Sequence, residues 1–364
     1  MSNSTRDRSV QPPTGESEPA RKRGPLGRLG RLLYWVLPVA ILALILARID
    51  LGVLIETVRD SRPVLYLLGI CLFPTTLLIG SIRWRLLIRQ YLGRTEGLGY
   101  LLRHYCIGLS VSIFLPGQIG MDIYRIAIAG RRFRRYVPNI AVVLEEKMLS
   151  AVVCVGLVLG LTPWIDVDGN SSVLASILDV AYALAIGLGS TVAILFLVTR
   201  LAAARRLAGL VSRRLKRAIV SILQRVGVDT ARVGPLPPID EIFGPLSRPR
   251  ELLPVALLSM ASFVALGLAN QLFLAALNYD LPFAVSLFVV SVTFFAVSIP
   301  ISFAGLGVRE GAFILVLGLF DVPAESALVV SFFSLSGMLL NYAIGGAAIL
   351  ANRRDAVALA SKTQ

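Results

Sequence analysis

The sequence predicts an all-α polytopic membrane protein, and three observations carry that prediction. Only 16% of its 364 residues are charged and 56% are hydrophobic, against about 25% charged in soluble globular chains. Several stretches run for roughly 20 residues almost without charge, the length that crosses a bilayer core as helix. Glycine and proline collect inside some of those stretches and stand beside charges.

Residues 1–28, rich in Ser, Pro, Arg and Glu, read as a disordered basic tail. The apolar run at 32–48 lacks a small-residue cleavage site and is expected to be a first span rather than a removed signal. Further apolar segments lie near 64–82, 101–121, 139–163, 173–199, 252–278, 282–301 and 308–350, the last interrupted at Asp321-Val322-Pro323. The largest gap, 200–251, carries Leu207, Val211, Leu215, Ala218, Ile222 and Val226 at helical spacing among arginines. It is expected to be an amphipathic helix on the membrane surface, followed by a Pro-rich connector.

Loop charges set the orientation. Lys and Arg concentrate in the N-terminal tail, 83–103, 125–135, 200–250 and the tail from 352 to 364, and are missing from 164–171, 278–281 and 321–325. The first group is expected to be cytoplasmic, both termini included, and the second external. Segment 101–121 then has both ends inside, and 282–320 both ends outside. Each is expected to be a re-entrant hairpin, turning at Pro116, Gly117 and Gly120 in one case and at Pro300, Gly305 and Gly307 in the other; ordinary spans are the alternative. The predicted architecture is an inverted repeat of span, span, re-entrant hairpin and span. It has six full crossings plus two hairpins, with repeats over 29–163 and 173–351.

Charge inside the apolar segments marks the candidate site, because a charge at the bilayer centre costs about 3 kcal/mol on insertion scales. Asp122 and Arg125 are three apart and can pair on a restarted helix, unless Arg125 only snorkels to the interface. Arg309 and Glu310 follow a Gly-x-Gly break, where helix N–H groups and an arginine fork suit a lipid phosphate; a purely structural pair is the alternative. Either carboxylate of Glu145-Glu146-Lys147 can balance Arg125 or Arg309, or all three can sit at the interface. Arg83-Trp84-Arg85 reads as a headgroup-level anchor, and Gly156 and Gly160 as a weak helix-packing signal. Cys71, Cys106 and Cys154 read as small buried apolar residues. No metal spacing is present, and no cofactor is expected.

The net charge of +14 follows the ends of the apolar segments, which excludes nucleic acid as a partner and points to anionic lipid headgroups. The expected substrate is anionic or lipid-linked. A lipid-modifying or glycosyltransferase partner and a homo-oligomer both stay open.

Trp84-Arg85 to Leu87, Pro116 to Arg125, Glu146-Lys147 and Gly305-Leu306-Gly307-Val308-Arg309-Glu310-Gly311 together resemble the lysylphosphatidylglycerol synthase transmembrane region, a flippase-like family, over about 30–350. The resemblance implies lipid handling in the cytoplasmic membrane and places Asp122, Arg125, Glu146, Arg309 and Glu310 at the family's intramembrane charged positions. Gln118, Met121 and Lys147 depart from its pattern and bear on which headgroup is taken. Only Asn352 to Gln364 follow the last span, so the chain is expected to be no enzyme and not to make lysylphosphatidylglycerol by itself. The expected function is a transporter moving a phospholipid or lipid-linked sugar through a midplane charged cavity. The alternatives are an intramembrane glycosyltransferase or other lipid-modifying enzyme on a polyprenyl phosphate, and a scaffold for envelope enzymes.

Overall fold

The computed structural model describes residues 42–47, 50–113, 119–165, 172–200, 249–298 and 305–362, and among these it is helical without a strand. The tail at 1–28 and the amphipathic stretch and connector between 201 and 248 lie outside the described residues.

Local signals account for the element boundaries. Helix α1 (Leu51–Arg59) begins at Asp50, whose carboxylate accepts from the Gly52 and Val53 N–H groups at 2.7 and 3.3 Å. Helix α2 (Pro63–Leu92) opens on a proline at its first position and stops at Gly93, which is left-handed. Next come α3 (Leu98–Ser112), α4 (Ile119–Phe133) and α5 (Val137–Leu161). They are followed by α6 (Ser172–Arg200), α7 (Pro249–Ala276), α8 (Phe283–Ser298), α9 (Val308–Leu317) and α10 (Ala324–Lys362). The interruption read at Asp321-Val322-Pro323 falls between α9 and α10, with Asp321 left-handed.

Among the described residues, α2, residues 250–276 of α7 and residues 324–351 of α10 are long and apolar enough to cross a membrane. Their outer faces expose Leu67, Leu68, Leu257, Leu339 and Leu350. Apolar surface on that scale is what a bilayer covers, and the chain is a multi-pass α-helical membrane protein. The backbone of α10 stays helical through Lys362, so the tail expected from 352 begins as a continuation of that helix.

The segments expected to turn back are broken helices. The chain at 101–121 divides into α3 and α4, packed on each other, and 282–320 divides into α8 and α9, also packed together. Fifteen-residue helices are about 22 Å long, short of the ~30 Å hydrocarbon core.

Packing centres on α2 against α7. Phe73, Phe273, Phe288, Phe313 and Phe333 bring α2, α7, α8, α9 and α10 into one apolar core. Backbones approach closely where glycine permits: a Cβ on Gly69 would run into the Phe273 ring, and one on Gly345 into the Cys106 carbonyl of α3. The Gly156/Gly160 packing signal is corrected, since a Cβ at either meets nothing within 4 Å. Cys106 and Cys154 are buried as expected, whereas Cys71 is exposed.

The other helix contacts are α2 with α3, α5 and α10; α3 with α10; α4 with α5; α5 with α6; α7 with α5, α8 and α10; α8 with α5; and α10 with α9 and α1. Exchanging α2–α5 for α7–α10 maps the contacts within and between these two sets onto one another.

Candidate functional site: two buried ion clusters around the end of α8

Glu145, Glu146 and Lys147 are consecutive on α5, so helical rotation sends them in different directions. Glu146 is only 5% exposed and holds two arginines. Its Oε1 accepts from Arg83 Nη2 of α2 at 2.5 Å, and its Oε2 accepts from Arg125 Nη2 of α4. Arg83 Nη1 also donates to Ser150 Oγ of α5 and Ser259 Oγ of α7, both at 3.0 Å. Arg125, 2% exposed, lies with its guanidinium carbon 4.7 Å from the Trp84 ring centre and 5.1 Å from that of Tyr105. The Nε groups of Arg83 and Arg125 have no hydrogen-bond partner.

Asp122 does not pair with Arg125. Its Oδ2 lies 2.9 Å from Lys147 Nζ, because α5 passes beside α4 and offers each residue a better-placed partner than its neighbour on the same helix. Arg125 is buried, which corrects the snorkelling alternative. Glu145 takes a separate course: it is buried, accepts from the Tyr91 hydroxyl, and keeps its Oε1 unpaired.

A cavity of about 410 Å³ opens on this cluster, lined by Arg83, Asp122, Arg125, Glu146 and Lys147 and closed on one side by Phe294, Phe295 and Ser298 of α8. Three cations there face two carboxylates, leaving an excess positive charge. A cavity with surplus positive charge edged by guanidinium groups is suited to an oxyanion.

The second cluster starts α9. Gly307 caps the helix at φ +79°, and its N–H donates to Glu310 Oε2 at 2.6 Å. Arg309 Nη2 donates to Glu310 Oε1 at 2.5 Å, and Ser331 Oγ of α10 lies 3.4 Å from Glu310 Oε1 and from Arg309 Nε. Glu310 is fully buried. Arg309 borders a smaller cavity of about 190 Å³ that is also lined by Phe294 and Ser298. The end of α8 therefore stands between the two arginine-bearing cavities.

Of the expected break residues, Gly305 and Gly307 have positive φ at the start of α9. Gly120 is instead a helical residue in the first turn of α4, while Pro116, Gly117 and Pro300 lie outside the described residues. Sequence reasoning missed Arg83. The Arg83-Trp84 anchor expectation is corrected: Trp84 is buried and Arg83 enters the cavity. The missed signal was helix length. Helix α2 runs to Leu92, which leaves Arg83 about 14 Å from its end at 1.5 Å per residue.

A family model described as the lysylphosphatidylglycerol synthase TM region matches residues 32–341. No curated protein matches the chain. The description names part of a synthase, which overturns the expectation that the chain is no enzyme: its family is enzyme-related and handles lipid. The matched span takes in every residue named in the two clusters, and the chain belongs to the lysylphosphatidylglycerol synthase TM region family.

Proposed function

We propose that the chain is a flippase-like carrier that moves an anionic phospholipid or lipid-linked sugar headgroup across the cytoplasmic membrane. The observation that carries it is the buried Arg83–Glu146–Arg125 cluster, which sets surplus positive charge on a cavity of about 410 Å³. Arg125 and Arg309 would bind the phosphate at successive stations on either side of the end of α8. Asp122, Glu146 and Glu310 would balance charge and select among headgroups.

Two features support the transporter architecture. Helices break at both expected hairpins, and the helix contacts map onto themselves when α2–α5 and α7–α10 are exchanged. Both fit an inverted repeat whose hairpins enter from opposite faces with both termini cytoplasmic. Membrane lipids are the expected surroundings, and a lipid-modifying or glycosyltransferase partner or a second copy of the chain fits the same reading.

Reconstitution in liposomes with a labelled anionic lipid tests it. Flipping should fall steeply in Arg309→Ala and Asp122→Asn variants, and unchanged rates would sink the residue assignment. The family's description as a synthase region favours a second reading, an intramembrane enzyme acting on a lipid phosphate. Product formation by purified protein supplied with donor and acceptor would select it.

A further inference from the structure

A third cavity, of about 710 Å³, lies between α5, α6, α8 and α9. No charged side chain among the described residues lines it. Its floor is fully buried and made of Val158, Ala181 and Val316, whereas Val180 and Leu315 on its rim are 56% and 59% exposed. It is thus a groove with a packed apolar base, open at the side to whatever surrounds the helices. Leu184, Phe295 and Ser298 line both this groove and the charged cavity, so the two adjoin along a shared wall. Along α6 it extends from Ser172 to Leu184, about 18 Å at 1.5 Å per residue, somewhat more than one leaflet's half of the ~30 Å hydrocarbon core.

We infer that this groove holds one hydrocarbon chain of the same molecule whose phosphate occupies the charged cavity. The inference rests on the carrier reading and adds to it. One tail is gripped by protein rather than left in the bilayer, so the substrate is a lipid phosphate recognised by head and tail together. Charge selects the occupant of the cavity. Apart from the hydroxyls of Ser172, Ser176 and Ser298, the adjoining groove is apolar among the described residues and opens at the side, which suits a hydrocarbon chain better than a charged group. A chain running outward from the shared wall at Phe295 and Ser298 fills the length that the groove provides.

The test uses the full chain in phosphatidylcholine vesicles with two probes. One is a phosphatidic acid carrying a photoreactive group at the end of one long chain; the other is a short-chain, water-soluble phosphatidic acid. Photolabelling should concentrate on groove residues of α6, α8 and α9. It should fall about tenfold, a factor equal to 1.4 kcal/mol, in Val180→Trp and Leu315→Trp, which add bulk at exposed rim positions. Binding of the short-chain probe should survive both tryptophan variants and be lost in Arg125→Ala. Arg125→Lys, which keeps the charge but not the fork, should weaken it measurably if the alanine variant fails to fold.

Labelling spread evenly over the outer helices, or unmoved by both tryptophans while short-chain binding still needs Arg125, would overturn the tail site and leave the headgroup reading standing. Short-chain binding indifferent to both Arg125 variants would overturn the headgroup reading, and with it the linked head-and-tail site.

Discussion

Neighbouring glutamates on one helix should respond very differently to the same isosteric change. Glu146→Gln removes the only carboxylate bonded to Arg83 and Arg125 among the described residues. The glutamine carbonyl can still accept from one arginine, but its NH₂ group meets the other donor to donor. Removing one partner from a buried ion pair costs about 3–5 kcal/mol. Arg83 retains Ser150 and Ser259, which puts the expected loss near the lower end, about 3 kcal/mol. Glu145→Gln keeps the oxygen that accepts from Tyr91 and strips no cation of a partner, so it should cost under about 1 kcal/mol.

Unfolding of the two variants in the same detergent, followed by denaturant or heat, measures the contrast. A double-mutant cycle pairing Glu146→Gln with Arg125→Met should give a coupling of about 2 kcal/mol, within the range seen for contacting charges. Methionine is chosen because it keeps an apolar stem against the Trp84 ring. Equal losses at 145 and 146, or a coupling near zero, would refute the assignment of Glu146 as the anchor of both arginines.

Other variants probe separate parts of the fold. Glu310→Gln should destabilise by about 3–5 kcal/mol, measured in the same unfolding assay, because it leaves Arg309 without its carboxylate and weakens the cap at Gly307. Gly305→Ala should cost about 1–3 kcal/mol: φ is +78° and the added Cβ would lie 2.8 Å from Val297 Cγ1. Gly345→Ala should separate α10 from α3 at a similar cost of about 1–3 kcal/mol. Disulfide trapping between cysteines introduced across that seam would report the separation. Tyr91→Phe removes the hydroxyl that Glu145 accepts from and should cost about 1–3 kcal/mol.

Much of this was legible in the sequence because bilayer physics writes in large letters. The end of α3 at Ser112 and the turn at Gly305 and Gly307 fall where Gly and Pro stand near charge, and Arg309-Glu310 announced itself by standing far from polar surroundings. The pairing scheme was not legible. Asp122 and Arg125 sit at ideal helical spacing, yet each takes its partner from α5, and only the approach of that helix decides it. Arg83 escaped for a related reason, since hydropathy ended the second span at 82 whereas the helix itself runs ten residues further. The enzyme expectation went wrong on other grounds: it leaned on how few residues follow the last span, which says little about the chemistry of a family.

Arg83 has one further consequence. Its guanidinium reaches Ser259, 176 residues along the chain and on the helix that packs most extensively against its own. On the carrier reading proposed above, an anion arriving in the cavity would compete for the same N–H groups that fasten α2 to α5 and α7. To be held by Arg83, the newcomer must draw it away from Glu146 or from Ser259. Docking and unlatching would then be one event, with cargo and hinge contending for a single side chain.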